Sequence, residues 1–129
     1  MTTQKKRILL VDDDSDFVEA TKMLLETRYN VSVAYEGNEG IRKAKEEKPD
    51  LIILDVIMPK KDGFAVCEEL KGDPNLRKIP IMLLTSFAVR MAETTTSVAQ
   101  AMITEAEDYM DKPVSPAQLF QRVEKVLKR

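Results

Sequence analysis

The chain has 129 residues, with 20 lysines and arginines against 22 aspartates and glutamates, and 43% of its residues are hydrophobic. A chain of this length can bury a core without disulfides, which excludes disordered, fibrous and disulfide-scaffold classes. Its longest apolar runs, such as residues 8–11, are far shorter than the roughly 20 residues of a membrane span. We therefore expect a single domain over residues 1–129, cytoplasmic and without membrane insertion.

The chain contains no histidine and one cysteine, Cys67. This composition excludes an internal disulfide, the usual zinc ligand sets and catalysis by Cys-His or Ser-His pairs. Cys67 is expected to be a small core residue. The near-neutral charge balance and the absence of tryptophan also argue against direct nucleic-acid binding. Any metal ion would have to be held by oxygen ligands.

Five apolar, β-rich runs alternate with segments at helical spacing, which is typical of an α/β fold. Three of the runs are apolar at every position, as expected for strands of a parallel sheet with helices on both faces. The predicted strands are residues 8–11, 31–35, 51–54, 81–84 and, more weakly, 108–110.

The first predicted helix follows the first strand and carries one apolar stripe, with Asp14 or Ser15 as its cap. Two shorter helices are predicted near residues 38–47 and 64–71. A fourth helix within residues 88–106 is expected to be extended or irregular, because three threonines and a serine interrupt it. The first stripe consists of Phe17, Val18, Ala20, Thr21, Leu24, Leu25 and Arg28.

The last predicted helix has the clearest signals at its beginning. Ser115 can cap it, Pro116 suits its first position, and Gln118 would complete a capping box. Its buried face is predicted to consist of Leu119, Val123, Val126 and Leu127.

Polar residues stand at the ends of the predicted strands, where ligands lie in open parallel sheets. Asp12 and Asp13 follow the first strand, Asp55 the third and Thr85 the fourth. By position alone, Asp55 either points into a site or simply begins a loop. Three carboxylates brought together would repel one another unless a cation lay among them. Mg²⁺ and Lys112 together would neutralise the three charges.

Five short segments stand in order at compatible spacing and cover nearly the whole chain. They are LLVDDD at 9–14, PDLIILD at 49–55, MPKKDG at 58–63, IPIMLLT at 79–85 and DYMDKP at 108–113. Together they resemble the receiver domain of two-component response regulators, like the single-domain chemotaxis regulator. The resemblance implies a flavodoxin-like, doubly wound parallel sheet of five strands in the order 2-1-3-4-5, with five helices.

The resemblance also implies a function. The chain would accept a phosphoryl group from a histidine kinase or phosphotransfer protein onto Asp55, with Mg²⁺ as cofactor. It would be a signalling phosphoacceptor and not an enzyme, apart from its own phosphorylation and dephosphorylation. A downstream protein would bind the face made by the fourth predicted helix, the fifth strand and the last helix.

The site residues receive their roles from the same resemblance. Asp55 would be the nucleophile, and Asp13 would bind Mg²⁺ directly together with Asp55 and the Ile57 backbone carbonyl. Asp12 would bind the metal largely through water. These roles suit the chemistry, since a carboxylate can attack phosphorus and a metal can shield charge on phosphoryl oxygens.

The remaining roles concern the phosphoryl group and the switch. Thr85 and Lys112 would bind phosphoryl oxygens, with lysine acting as a point charge. Tyr109 stands where the family has an aromatic residue that turns inward when Thr85 is drawn to the phosphoryl group. Pro113 restricts Lys112 to extended backbone and could follow a cis peptide bond.

Two features depart from the family pattern. Thr85 and Lys112 are 27 residues apart, about one helical turn more than expected, and the excess falls in residues 91–101. Ile57 and Phe87 are apolar at positions where many relatives carry polar groups, so they would shield the phosphoryl group from water.

Two alternative functions fit the sequence less well. Haloacid-dehalogenase-like phosphatases also use a strand-end aspartate, a threonine or serine and a lysine, and residues 12–14 resemble the Asp-x-Asp opening of their motif. That motif, however, requires threonine or valine where Asp16 stands. This chain also has no acidic pair after Lys112 and no room for a cap domain. An unphosphorylated receiver-fold scaffold should have lost a site residue, and none is lost.

Overall fold

The computed structural model of the chain describes residues 5–85 and 105–128, with Thr85 described for its backbone alone. Five parallel strands form one sheet in the order β2-β1-β3-β4-β5, which confirms the expected topology. The elements are β1 (Arg7–Val11), α1 (Ser15–Leu25), β2 (Asn30–Ala34), α2 (Gly37–Glu47), β3 (Leu51–Asp55), α3 (Gly63–Gly72), β4 (Ile81–Thr85), β5 (Asp108–Asp111) and α4 (Pro116–Leu127).

The core lies in two layers because side chains along a strand alternate between the faces of the sheet. Leu9 and Val11 of β1 pack on the layer under α2 and α3. Ile8 and Leu10 pack on the layer under α1 and α4. Both faces of β3 are buried, as its continuous apolar run predicted. Cys67 of α3 is fully buried and free, and burial raises the pKa of its thiol to about 11.

The first helix begins as predicted and ends earlier than predicted. Asp14 Oδ1 accepts hydrogen bonds from the backbone N–H groups of Asp16 and Phe17, at 3.1 and 3.2 Å, so Asp14 is the cap. The helix ends at Leu25, because the chain turns there to bring Asn30 into register with Arg7.

The predicted apolar stripe of the first helix was wrong at two positions, Arg28 and Ala20. Arg28 lies beyond the helix and Ala20 is exposed. Arg28 contacts α4 instead, with Nη1 2.9 Å from Glu124 Oε2. Its guanidinium also lies 4.2 Å from the centroid of the Phe120 ring.

The predicted cap and the predicted first residue of the last helix are confirmed in α4. Ser115 Oγ accepts a hydrogen bond from the Gln118 backbone N–H at 3.2 Å, and Pro116 stands in the first turn. The predicted buried face is formed by Leu119, Val123 and Val126, with Leu127 half-buried.

The other elements agree with the predictions to within about a residue, apart from one helix. The second strand ends at Ala34, because the Tyr35 N–H donates to Glu39 Oε1 at 2.7 Å instead of continuing the ladder. The helix predicted within residues 88–106 falls outside the described residues, except for its last two positions. Within the described ranges, no helix has both the length and the apolar character needed to span a membrane.

The beginning of α3 packs directly against the end of β3. The Gly63 N–H donates to the Val56 carbonyl at 2.8 Å, and Asp62 Oδ1 caps the helix through the Ala65 N–H at 2.9 Å. A Cβ atom on Gly63 would overlap the Asp55 carbonyl oxygen and lie 2.7 Å from Val56 Cα. Only glycine fits without moving the backbone that carries Asp55.

We predict that Gly63→Ala destabilises the protein by about 1–3 kcal/mol, because its methyl group meets backbone and not a flexible side chain. Gly72→Ala is the matched control at the other end of α3, where an added methyl group would have no neighbour within 4 Å and alanine is the better helix former. Urea unfolding measures both variants. Equal losses of stability in the two would contradict the close packing at Gly63.

Candidate functional site

Three carboxylates meet at the carboxyl ends of β1 and β3. These strands are parallel neighbours with Val11 opposite Leu54, so the residues that follow, Asp12 and Asp55, lie side by side. Both are buried, while Asp13 is exposed. Asp12, Asp13 and Asp55 each offer a carboxylate oxygen, and these oxygens all lie within 4.8 Å of one another. The cluster expected from the strand ends is therefore present and could hold a metal ion.

Lys112 reaches this cluster from the end of β5. Its Nζ lies 2.7 Å from Asp12 Oδ2 and 3.4 Å from Asp55 Oδ1. The lysine is thus paired more closely with Asp12 than with Asp55. The peptide bond between Lys112 and Pro113 is cis, in agreement with the resemblance to receiver domains.

The Asp12 carboxylate is oriented by two contacts on its two oxygens. Oδ1 accepts a hydrogen bond from the Asp14 N–H at 3.0 Å, and Oδ2 pairs with Lys112. The Asp12 N–H itself donates to the Ala34 carbonyl at 3.0 Å. Asp14 caps α1. Of the acidic triplet, Asp12 and Asp13 therefore belong to the cluster, and Asp14 belongs to the beginning of the helix.

Burial and like charges act together on Asp55. The pKa of its carboxyl is raised to about 7; desolvation is the largest cause, and the charges of Asp12 and Asp13 also raise the pKa. Lys112 lowers that pKa but does not offset the other effects. The pKa of Lys112 is itself raised, because its hydrogen bonds and charge interactions with Asp12 and Asp55 outweigh desolvation, which lowers it. The site therefore stabilises a lysine cation and disfavours the Asp55 anion.

The sequence also assigned roles at the site to four other residues, which are Ile57, Thr85, Phe87 and Tyr109. Thr85 ends β4 opposite Asp111, and its side chain lies outside what the structure describes, as does all of Phe87. Ile57 follows β3 and is 38% exposed. Tyr109 stands in β5 opposite Leu83 and packs half-buried against the core layer under α2 and α3.

One neighbour of the cluster was not predicted as a site residue. The Phe17 ring of α1 lies with its centroid 4.2 Å from Lys112 Nζ. The sequence placed Phe17 on the apolar stripe of α1, and nothing in its spacing indicated a lysine from β5 as its neighbour. Its position in the first turn after the acidic triplet was the only available signal.

The carboxylate oxygens offer the hard ligands that Mg²⁺ prefers. The neighbouring ammonium group offers a positive charge that can attract phosphoryl oxygens. A buried carboxylate between such groups has the chemical character of an acceptor for a phosphoryl group.

Residues 8–124 match a family model described as the response regulator receiver domain. The chain is 40% identical, over 91% of its length, to the response regulator PleD of Caulobacter vibrioides. It is 38% identical, over 96% of its length, to the alkaline phosphatase synthesis transcriptional regulatory protein PhoP of Bacillus subtilis. It spans 25% of the length of the first and 49% of the second.

Solved structures with this fold are also similar. A signal receiver domain of a histidine kinase from Syntrophus aciditrophicus is 35% identical with a TM-score of 0.81, covering 95% of this chain and 90% of that one. A CheY-like receiver domain protein from Methanospirillum hungatei is 26% identical with a TM-score of 0.84, covering 97% of this chain and 95% of that one.

The raised pKa of Asp55 predicts a stability that depends on pH. Asp55 titrates near 3.8 as an ordinary carboxyl and near 7 in the fold, so the folded state holds the proton more tightly. Its stabilising contribution is complete below the unfolded pKa and is lost as pH rises through about 7. We compare the free energies of unfolding of Asp55→Asn and the wild type in the presence of a metal chelator. The difference between them should shift by about 2–3 kcal/mol in favour of Asp55→Asn as the pH is raised from 5 to 8.

Urea unfolding of both proteins at the two pH values measures this difference. A gap that stays constant with pH would mean that Asp55 titrates in the fold as it does in the unfolded chain.

Proposed function

The chain belongs to the family of response regulator receiver domains of two-component signalling, and we propose that Asp55 is its phosphoacceptor. The donor would be a histidine kinase or a phosphotransfer protein. An Asp55 carboxylate oxygen attacks phosphorus, the bond from phosphorus to the donor nitrogen breaks, and its electron pair stays on that nitrogen. The product is an aspartyl phosphate at the end of β3.

The observation that carries this assignment is the unequal engagement of the two buried carboxylates. Both oxygens of Asp12 are engaged, one by the Asp14 N–H and the other by Lys112. Within residues 5–85 and 105–128, the one polar contact described for the Asp55 carboxylate joins its Oδ1 to Lys112. An oxygen of Asp55 is therefore available for a new bond, and the adjacent ammonium group can stabilise charge on the incoming phosphoryl group.

We propose that Mg²⁺ is held by Asp13, Asp55 and the Ile57 carbonyl, with Asp12 acting largely through water. The donor set fits, since all groups are oxygens and three are carboxylates. When bound, the metal would supply charge neutralisation for the phosphoryl oxygens. Asp55 also has to be ionised to act as a nucleophile, and a divalent cation beside the cluster favours its ionised form.

We propose that phosphorylation changes a face that includes β5 and α4; the fourth predicted helix, also expected to belong to this face, lies almost wholly outside the described residues. A phosphoryl group adds about −1.5 to −2 charges, which would draw Lys112 and the Thr85 side chain toward Asp55. Tyr109 would follow inward, and a downstream protein would bind the altered face. Ile57, which is exposed beside the site, would limit the approach of water.

Residues 1–129 are proposed to form one cytoplasmic receiver domain that has no catalytic activity beyond its own phosphorylation and dephosphorylation. The chain spans 25% and 49% of the length of the two relatives named above, and we propose that the output of this protein belongs to its partners or to further domains. A haloacid-dehalogenase-like phosphatase is not favoured, because the matched family and the similar structures are receiver domains.

We predict that the protein, incubated with Mg²⁺ and a small phosphodonor, gains one phosphoryl group by intact mass. Asp55→Asn should abolish the gain, because the amide cannot act as the carboxylate nucleophile. Asp14→Asn is the matched control from the same acidic triplet, since asparagine still caps a helix, and it should be labelled like the wild type. Labelling that persists in Asp55→Asn would contradict the assignment.

We predict that Asp13→Ala weakens Mg²⁺ binding by at least about tenfold, the smallest loss typical of removing even an outer-sphere partner. Calorimetry follows the affinity without any phosphodonor. Asp16→Ala removes an exposed carboxylate of the first turn of α1 and should leave the affinity nearly unchanged. Equal affinities of Asp13→Ala and wild type would refute the ligand role.

A further inference from the structure

Within the part of the chain that the structure describes, the Lys112 ammonium group lies close to two carboxylates and one aromatic ring. The ammonium nitrogen lies 2.7 Å from an Asp12 oxygen and 3.4 Å from an Asp55 oxygen, and 4.2 Å from the centroid of the Phe17 ring. An ammonium group carries three N–H donors, and the face of an aromatic ring attracts a cation at this distance. The ring therefore serves as a third contact for the ammonium group.

The Phe17 ring is held in place independently of Lys112. Its backbone N–H is bound by the helix cap on Asp14 at 3.2 Å, and its side chain packs half-buried against the core layer under α1 and α4. The ring also borders an open groove of about 600 Å³ lined mainly by apolar side chains of α1, α4 and the turn after Lys112. The ring thus offers a partly buried apolar surface against which a flexible lysine can rest.

We propose that Phe17 is a positioning residue that holds the Lys112 ammonium group over the acidic cluster for phosphoryl transfer. The inference rests on the proposed function of Asp55. Lysine has a flexible four-carbon stem and a strongly hydrated charge, so without a second surface it would spend more time in solvent.

The ring matters most when Lys112 has to leave Asp12. The lysine lies closer to Asp12 than to Asp55, although its proposed task is to contact the phosphoryl group on Asp55. A contact with the face of a ring is broad and does not depend on either carboxylate. The ammonium group can therefore pass from Asp12 toward Asp55 while it keeps contact with Phe17.

The structure provides a matched pair for the test. Arg28 lies over the Phe120 ring at the same 4.2 Å, and Phe120 packs half-buried against the same core layer as Phe17. Phe120→Leu thus removes a comparable cation–aromatic contact outside the acidic cluster. Phe17→Tyr keeps an aromatic face, whereas Phe17→Leu removes it.

The first measurement is the NMR shift of the Lys112 ε-methylene protons, assigned with Lys112→Met. The ring current of Phe17 should move these signals upfield in the wild type, in Phe17→Tyr and in Phe120→Leu. In Phe17→Leu the signals should return toward ordinary lysine values. Signals that are unshifted in the wild type would overturn the contact, and this readout needs no phosphorylation.

The second measurement is the rate of phosphorylation by a small phosphodonor. Phe17→Leu should be slower by about three- to tenfold, the range that a partly desolvated cation–aromatic contact supports. Phe17→Tyr should restore the rate, and Phe120→Leu should stay near wild type. In a Lys112→Met background, Phe17→Leu should have no further effect, because the two residues act through one contact.

An equal slowing by Phe17→Leu with and without Lys112 would mean that the ring only supports the fold, which would overturn the proposal. Wild-type rates in Phe17→Leu would overturn the role of Phe17 and leave Asp55 as phosphoacceptor. Absence of labelling in the wild type would instead overturn the proposed function itself, and the role of Phe17 with it.

Discussion

Three carboxylates and one ammonium group share the space at the ends of β1 and β3, and their charges do not balance. Asp12 and Asp55 are buried there, Asp13 lies at the surface beside them, and Lys112 is the cation described among them. Three carboxylates and one ammonium group leave two negative charges in excess, and two of the carboxylates are buried. The pKa of Asp55 is raised first by its burial and then by the charges of Asp12 and Asp13. The excess negative charge also gives the cluster a capacity for a divalent cation.

The fold holds these groups together against their repulsion. Asp12 and Asp55 cannot separate, since each continues a strand whose apolar residues are buried on both faces and whose ladder fixes the register. Gly63 lets α3 pack against the backbone of Asp55, and the cap on Asp14 fixes the beginning of α1. Burial of the strands thus stabilises an arrangement of charges that would be unfavourable alone.

The sequence predicts the positions of groups that depend on backbone topology. Strands with continuous apolar runs can be identified without a structure, and parallel strands bring their carboxyl ends to one edge. Asp12, Asp55 and Lys112 could therefore be predicted to meet. Helix caps such as Asp14 and Ser115 could also be predicted, because they depend on residues three positions away or fewer.

Contacts between side chains from distant segments could not be predicted in the same way. The closer pairing of Lys112 with Asp12, and its position over the Phe17 ring, join segments about a hundred residues apart. The position of Arg28 could not be predicted for the same reason. Its spacing indicated that the helix continues to this residue, but the chain leaves the helix at Leu25 so that Asn30 can pair with Arg7. Such details depend on rotamers and register, which local patterns do not encode.

The most direct test is a crystal structure of the protein with Mg²⁺ and beryllofluoride, a mimic of the phosphoryl group. We expect the beryllium to be bonded to Asp55, the metal to be bound by Asp13 and Asp55, and Lys112 Nζ to contact a fluorine instead of Asp12. An adduct on Asp12, or a Lys112 that stays 2.7 Å from Asp12 with no adduct at Asp55, would contradict the assignment of this cluster as a phosphoacceptor site.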